Sequence, residues 1–571
     1  MIDILPWLLT LVTLLSLYPC ARLAVPEGDL ILVGCTALAL AAGALSLTML
    51  WCGLLGLPLD WRIPAAVVIG GGACGWLVLG RAMPLSLRMP HRERSAFPIA
   101  VWLSGSIIGG MVVLILFNAA YGVFAIDDAI AIYGWQGKQI YLSGTLPVGM
   151  LYETYPMLLP LLYAFTHSAA GWVNEGLALF VSALLSVGSI GAAYCLGRAL
   201  YGGGTGRLAA LLCALTPMVT HWASAGYADL PTGFFYGMSA VYLYRLADRA
   251  APHPLSAALA GIMAGLAAWT KNSGLLILPG IGLWLISLWW GGGIPFRRVL
   301  IYGALCAAGV AATAAPWYLR SLSMAGVIIP PTGWTWLAQR TLTTLFPYLA
   351  DPRYGVIGII FSAGIILTAI SAIAGIARRR RDAAGALLLA LYLPFFAAWW
   401  WLVSYDGRFL LALTPLVAVM AGRVVRRVLD GIAPLFGARE RLGGLFAAVV
   451  MIVLALPAAW NAVDFKDALI ADPLMGLGRK YETRLGARYA AALYLRAHFA
   501  GTQVWTTDGL LPYHAEGVRV TVGNPPQAGQ LAGYAALVLM PNESPPSWLP
   551  LSEPLFERAG YRIYLLPPSP S

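Results

Sequence analysis

"PIAVWLSGSIIGGMVVLILFNAAYGVFAIDDAIAIYGWQGKQIY", Pro98 to Tyr141, holds in one stretch the two features that decide the fold. Some twenty apolar residues pass without a charge and then meet two adjacent carboxylates, Asp127 and Asp128. A helix needs about 20 apolar residues to cross the hydrocarbon of a bilayer, so the run reads as a span and the carboxylates as its exit. Similar runs recur through all 571 residues, of which 60% are hydrophobic and only 11% charged, with 21 tryptophans and a mean hydropathy of +0.76. A soluble fold of this length does not bury that much apolar surface. The runs are rich in Leu, Ala, Gly and Val, are interrupted by Pro and Gly, and lack the alternation of barrel strands. The pattern predicts an α-helical polytopic membrane protein with about 14 transmembrane helices.

The predicted spans are 4–20, 30–52, 63–80, 98–118, 174–197, 208–223, 230–246, 255–270, 273–291, 299–318, 355–377, 383–403, 408–425 and 443–460. The apolar piece from Tyr155 to Gly171 is short and holds Pro156, Pro160 and His167, so it is read as a re-entrant or interfacial helix. The first run, MIDILPWLLT, lacks the basic front of a cleaved signal peptide and is read as a retained span. Tyr18 and Pro19 ahead of Cys20 do not suit a lipoprotein cleavage site. All seven cysteines fall inside apolar runs, which implies neither a disulfide framework nor a CxxC metal site.

Basic residues orient this arrangement. One set of loops carries Arg22, Arg81, Arg88, Arg92, Arg94, Arg198, Arg207, Arg245, Arg249, Arg297, Arg298, Arg378 to Arg381, Arg423, Arg426, Arg427, Arg439 and Arg441. The opposite set carries only Arg62, Lys138, Lys271, Arg320, Arg340, Arg353 and Arg408. The positive-inside rule makes the first set cytoplasmic, so the net charge of +11 reflects topology and not a nucleic-acid surface. The amino terminus, the loop after Asp127 and the carboxy-terminal tail then face outward, which suits the plasma (inner) membrane.

The rule that explains the inner arginines does not explain the outer cations. Outward loops gather Asp127, Asp128, Lys138, Glu153, His167, Asp229, Lys271, Asn272, Arg320, Arg340, Asp351, Arg353, Asp406 and Arg408. Ionisable groups at membrane depth cost roughly 2.5–3.5 kcal/mol each, so a cluster at one set of span ends points to a lined cavity. In "SAGYADLPTGFF", Asp229 is a site residue or a helix cap. In "APWYLRSL", Trp317 and Tyr318 suit an interfacial belt, and Arg320 suits a phosphate. In "AAWTKNSGLL", Lys271 is a ligand or a snorkelling lysine, and in "SYDGRFLLALTP", Arg408 is a ligand or the local ion partner of Asp406. His221 and Asp229, eight residues apart, are a weak signal for a divalent cation. "YGGGTGRL" lacks the GK[ST] ending of a phosphate loop and is read as a flexible turn.

Read as a helix, Val123 to Tyr141 sets Asp127, Ala131, Gly134 and Lys138 on one face, with Ile126, Ile130, Tyr133, Gly137 and Ile140 on an apolar face beside it. That predicts an amphipathic helix at the outer interface. Adjacent residues point about 100° apart, so only one of the two aspartates enters a given cavity. A partly desolvated carboxylate there can serve as a general base.

The order of span, outward Asp-Asp, amphipathic helix ending in an aromatic and Ser-Gly, then Tyr-Pro and a short apolar piece resembles the lipid-dependent GT-C glycosyltransferases. That superfamily includes the protein O-mannosyltransferases and the lipid A aminoarabinose transferases. "YETYPMLLPLLYAF", "YCLGRALYGGGTGRLAALLCALTPMV", "GYADLP", "TKNSGLLILP", "APWYLRS" and "DGRFLLALTPLVAVMAG" follow in family order between about 98 and 425. The resemblance implies that Asp128 or Asp127 activates the acceptor and that Asp229 shares the site. It makes Lys271, Arg320 and Arg408 candidates for the donor phosphate, and Lys138, Glu153, Tyr155 and Tyr318 candidates for substrate contact. Asp128 is the favoured base because it precedes an alanine. The implied donor is a polyprenyl-phosphate sugar, and the acceptor a lipid, glycan or protein outside the cytoplasm. Thr154 stands where aminoarabinose transferases place a lysine.

Three parts follow from these readings: 1–97 with additional helices and a cytoplasmic loop, a GT-C-like catalytic part over 98–460 with outward loops 119–173 and 319–354, and a soluble tail over 461–571. The tail carries nine basic and nine acidic residues. A helix around Arg484 to Phe499 and strands at "TQVWTTD", "VRVTV", "AALVLM" and "YRIYLL" predict a small extracytoplasmic α/β domain. A transporter or flippase of a lipid-linked sugar is the rival reading. It predicts inverted repeats and charges near mid-span, whereas these charges gather at span ends. An oligosaccharide ligase would differ mainly in donor size.

Overall fold

A computed structural model describes residues 4–82, 98–148, 152–248, 253–291, 294–329, 335–377, 382–436, 440–462, 476–524, 527, 531, 533–549 and 553–566. Arg88, Arg92, Arg94, Arg249, Arg378 to Arg381 and Arg439 of the arginine-rich loops lie outside this set. Contacts divide the chain into two units, Met1–Tyr121 with Gly137–Asp464, and Gly122–Gln136 with Phe465–Ser571.

The larger unit is helical. Among the described residues, ten helices are long and apolar enough to cross a membrane: Leu5–Ala24, Leu30–Leu54, Arg62–Leu79, Ala100–Tyr121, Glu175–Tyr201, Asn272–Trp290, Phe296–Ala325, Pro352–Gly375, Ala383–Leu402 and Gly407–Ile432. Each matches an expected span. The other four expectations correspond to elements that length and composition alone do not class as spans. The 208–223 region breaks into Gly203–Leu215 and Pro217–Ala223, because Thr216 is extended (ψ 115) ahead of a proline. Asp229–Arg245 and Pro254–Thr270 are 17 residues each, and the last is Glu440–Ala462.

Caps set several starts. Asp29 accepts from the Leu32 N–H at 2.9 Å, Asn174 from Leu177 at 3.0 Å and Asp382 from Gly385 at 2.9 Å, each satisfying an orphan donor of a first turn. Asp229–Arg245 is buried at every position through Leu243, as expected of a helix apolar all round. Ser239 donates to the Ala260 carbonyl at 2.8 Å, and Tyr236 to that of Leu391 at 2.7 Å. The short Leu158–Ala170 helix is also enclosed, with every residue through His167 buried, so it lies inside protein and not along an interface.

Glycine lets the helix that ends at Lys271 approach its neighbour. A side chain at Gly261 would strike the backbone of Cys306, and one at Gly309 would strike that of Ile262. Small residues at such crossings bring helix backbones together where no hydrophobic drive between helices exists.

In the smaller unit the helix expected around Arg484 to Phe499 is Ala487–His498, preceded across Gly486 (φ 53) by Leu477–Leu485, a helix the sequence did not suggest. The strands are β1 (Gln503–Thr506), β2 (Arg519–Val522), β3 (Ala536–Leu539), β4 (Phe556–Arg558) and β5 (Tyr561–Leu565), in the order β2-β1-β3-β5-β4. β1 pairs in parallel with β2 and β3, and β5 runs antiparallel to β3 and β4. β4 is the strand that pattern reading missed. Ala491, Ala492 and Leu495 pack on Val504, Ala536, Val538 and Ile563, and Leu537, Leu539 and Tyr564 belong to a second apolar cluster.

Gly261→Val is expected to lose about 1–3 kcal/mol of stability to overpacking. Gly282→Ala, with nothing near its added carbon, should be neutral. Thermal unfolding of the purified full-length protein reads both.

Candidate active site

Asp229 is the first residue of Asp229–Arg245, Ala228 holds the cap position, and no side chain caps this helix. The cap reading of Asp229 is therefore wrong. Its Oδ1 instead accepts from Lys271 Nζ at 2.6 Å, with side chains 2% and 14% exposed. Lys271 follows the last turn of Pro254–Thr270 in extended conformation (φ −156, ψ 143). It turns inward to the carboxylate, so the snorkelling reading fails as well. A helix N-terminus further favours the negative charge at Asp229. Asp229 Oδ2 is buried without a hydrogen-bond partner among the described residues. Buried polar atoms are nearly always satisfied, so this oxygen is a feature that needs a function.

Lys271 Nζ also lies 4.6 Å from the centre of the Phe409 ring. The same ring is 5.0 Å from the Arg408 guanidinium, which stacks on Trp222 at 5.0 Å and Tyr227 at 4.6 Å as well. Arg408 and Phe409 belong to the short helix Gly407–Leu413. Asp406 is 3.7 Å from Arg408 Nε but 2.7 Å from Arg353, which also grips Asp351 at 2.7 Å. The expected local pair is thus the looser one: Arg353 holds Asp406, and aromatic faces hold Arg408.

A cavity of about 500 Å³ opens on Lys271. Thr154, Tyr155, Asn272 and Ser273 give it polar groups, and Phe395, Ala398, Trp399 and Leu402 give it one helical face at i, i+3, i+4, i+7 spacing. Asn272 accepts from the Tyr318 hydroxyl at 3.1 Å, and the Thr154 carbonyl accepts from Trp317 Nε1 at 3.4 Å. Tyr152, another lining residue, sits at φ 62, a conformation that costs a non-glycine residue energy and clusters at functional sites.

Of the expected site residues, Asp229, Lys271 and Arg408 come together, Tyr155 lines the cavity, and Tyr318 buttresses Asn272. Arg320 instead donates to the Pro147 carbonyl at 2.8 Å and lies 4.9 Å over Trp317, close enough to Glu153 to feel its charge. Lys138 is buried and stands near enough to His167 to interact with it electrostatically. Neither Arg320 nor Lys138 lines the cavity. Asn272 belongs to the expected outward polar cluster, whereas Trp222, Tyr227, Phe409 and the Phe395–Leu402 face are not anticipated from the sequence. Aromatics abound in this chain, and of these only Phe409 stands next to a candidate cation in sequence. Among the described residues no three His, Cys, Asp or Glu group as metal ligands, and His221 packs edge-on against Trp222.

Asp127 and Asp128 belong to the smaller unit. Gly122–Ala125 is not helical, a helical turn starts at Asp127, and Ala129–Gly134 is a π-helix that passes into Trp135–Ser143. The wider i→i+5 turn rotates everything after it, so Asp127, Ala131, Gly134 and Lys138 do not share the face expected of one α-helix. Asp127 is exposed, Asp128 half-buried and Lys138 buried. Ala129, Ile130, Ile132, Tyr133 and Gln136 are buried too, so the surface-lying amphipathic helix is also corrected. π-turns are frequent at functional sites.

Residues 154–318 match the dolichyl-phosphate-mannose-protein mannosyltransferase family. No curated protein sequence matches the chain. The fold is that of ArnT from Cupriavidus metallidurans. The undecaprenyl phosphate complex of that protein aligns at TM-score 0.56 and 12% identity over 81% of this chain and 97% of that one. Its apo state aligns at TM-score 0.53 and 14% identity over 80% and 97%. The central helices thus carry the match to that mannosyltransferase family, and most of the chain's length carries the fold of ArnT.

Proposed function

We propose that the protein transfers a sugar from a polyprenyl-phosphate carrier to a hydroxyl or amine acceptor outside the cytoplasm, at the plasma (inner) membrane. The observation that carries this reading is the cavity at Lys271, where a half-buried cation adjoins an apolar helical face. A polyprenyl phosphate has the matching halves, an anionic head and a long apolar chain. ArnT, whose fold this chain shares, was crystallised with undecaprenyl phosphate. The arginine bias orients the cavity outward.

In this reading Asp128, or its neighbour Asp127, takes the acceptor proton as the acceptor attacks the anomeric carbon. The bond from that carbon to the phosphate oxygen breaks, and polyprenyl phosphate departs with the electron pair. Lys271 stabilises the charge growing on the phosphate, and Arg408 adds positive potential from beside the shared Phe409 ring. Asp229 holds and aims Lys271 through its hydrogen bond. Arg320, Lys138 and Glu153 support the surrounding loops in this account, and Tyr155 and Tyr318 shape the pocket wall. Acceptor identity, whether lipid, glycan or protein, is set by groups outside these contacts.

Two measurements test the reading. Asp128→Asn is expected to reduce turnover by about 10²–10⁴-fold, the usual worth of a positioned general base, with donor binding retained. Two Asn variants at 127 and 128 that both release polyprenyl phosphate at the wild-type rate would remove the base from the mechanism. Loss of the Lys271 charge removes a charge-assisted contact worth about 1.5–3 kcal/mol, so Lys271→Met should weaken donor binding roughly ten- to hundredfold. Because that change strands the buried Asp229 charge, Asp229→Asn/Lys271→Met should recover stability but not binding. A transporter would bind the donor and release no polyprenyl phosphate in either assay.

A further inference from the structure

We infer that Tyr513, in the carboxy-terminal domain, is a positioning residue for the Asp127–Asp128 segment. The inference rests on the reading that one of these aspartates is the base.

Residues Gly122–Gln136 cluster with the tail and not with the helices on either side of them in sequence. Two ring contacts join this segment to the tail. Phe124 meets Tyr513 edge-on at 6.1 Å and 72°, and Trp135 meets the same ring at 6.2 Å and 59°. The arc between Phe124 and Trp135 contains both aspartates and the whole π-turn, so both ends of the acidic segment rest on one tyrosine. Phe124 is 0% and Tyr513 1% exposed, which makes this a packed junction and not a surface encounter. The arc closes tightly: a side chain at Gly134 would press on the Phe124 ring and on the Ala129 carbonyl.

Tyr513 is itself held firmly. It lies on Leu511–His514, just beyond the carboxyl end of β1. Asp508, in the turn between, accepts from the Leu510 N–H at 2.9 Å through Oδ1. Its Oδ2 accepts from Arg488 Nε at 2.7 Å and from the Tyr561 hydroxyl at 2.8 Å. Asp508 is buried, so this charge is placed by the fold of the sheet. On the far side, the His514 ring meets those of Tyr481 at 5.1 Å and Tyr489 at 5.9 Å. A rigid line therefore runs from the Arg488–Asp508–Tyr561 network through Tyr513 to the two ends of the acidic arc. A general base must be held within hydrogen-bond reach of its proton, and a π-turn alone, with no rigid neighbour, does not supply that.

The test compares full-length wild type, Tyr513→Ala, Tyr513→Phe and Trp135→Leu in lipid nanodiscs, by turnover and by amide hydrogen exchange. For Tyr513→Ala the expected result is a kcat lower by at least tenfold, a donor KM within twofold, and exchange across 122–136 faster by at least tenfold, with β1, β3 and β5 unchanged. Tyr513→Phe, which keeps the ring, should restore both quantities to within about twofold of wild type. Trp135→Leu breaks the junction from its other side without touching the sheet and should reproduce the alanine phenotype even if Tyr513→Ala misfolds. Wild-type kcat in Tyr513→Ala or Trp135→Leu, or unaltered exchange across 122–136, overturns the inference. Asp127→Asn and Asp128→Asn run alongside: an inactive Asn variant beside a fully active Tyr513→Ala sinks this inference alone, whereas two active Asn variants sink the base and the positioning together.

Discussion

The buried contact between Asp229 and Lys271 is the interaction on which the larger unit is organised. Neither charge is tolerable alone at this depth, since removing one partner of a buried pair costs about 3–5 kcal/mol. Their meeting requires the start of Asp229–Arg245 and the end of Pro254–Thr270 to lie side by side, and the chain meets that demand with two tightly packed helices. The glycine contacts of Gly261 and Gly309 hold the second helix against Phe296–Ala325, whose far end carries Trp317 and Tyr318. An ion pair thus converts helix packing into the placement of a cation at a cavity wall.

That pair is also incomplete in a useful way. Lys271 directs one donor to Asp229 and faces Phe409, while Asp229 keeps an oxygen without a partner. A site finished internally would gain nothing from a ligand. A cation facing an apolar cavity, beside a buried carboxylate with one oxygen unsatisfied, is the arrangement on which the proposed donor site rests. Arg408 sits among the rings of Trp222, Tyr227 and Phe409, and its ion pair with Asp406 is a loose one.

Much of this was legible in the sequence, for physical reasons that differ by element. Long uncharged runs announce membrane helices because composition alone decides transfer into lipid, and all ten of the long apolar helices were anticipated. The tail strands showed as short apolar and β-branched runs, alternating in "VRVTV" and continuous in "AALVLM", except for β4, whose three residues are too few to show a pattern. The cations Lys271 and Arg408 stood out because charges are rare in this chain. What stayed hidden depends on tertiary contact: nothing in "GYADLP" says that Asp229 reaches 42 positions forward to Lys271 and not to its own helix end. Nor does "DDAIAIYGW" reveal a π-turn, because the apolar spacing there fits an α-helix equally well. The loose Asp406–Arg408 pair was inferred from adjacency, and Arg353 overrode it from 53 positions away.

The most direct test of the account is a structure of the protein with a polyprenyl monophosphate bound. The account predicts the phosphate within hydrogen-bond distance of Lys271 Nζ and the first isoprene units along Phe395, Ala398, Trp399 and Leu402. A phosphate bound elsewhere, with this cavity empty and the Lys271–Asp229 contact unchanged, would contradict it.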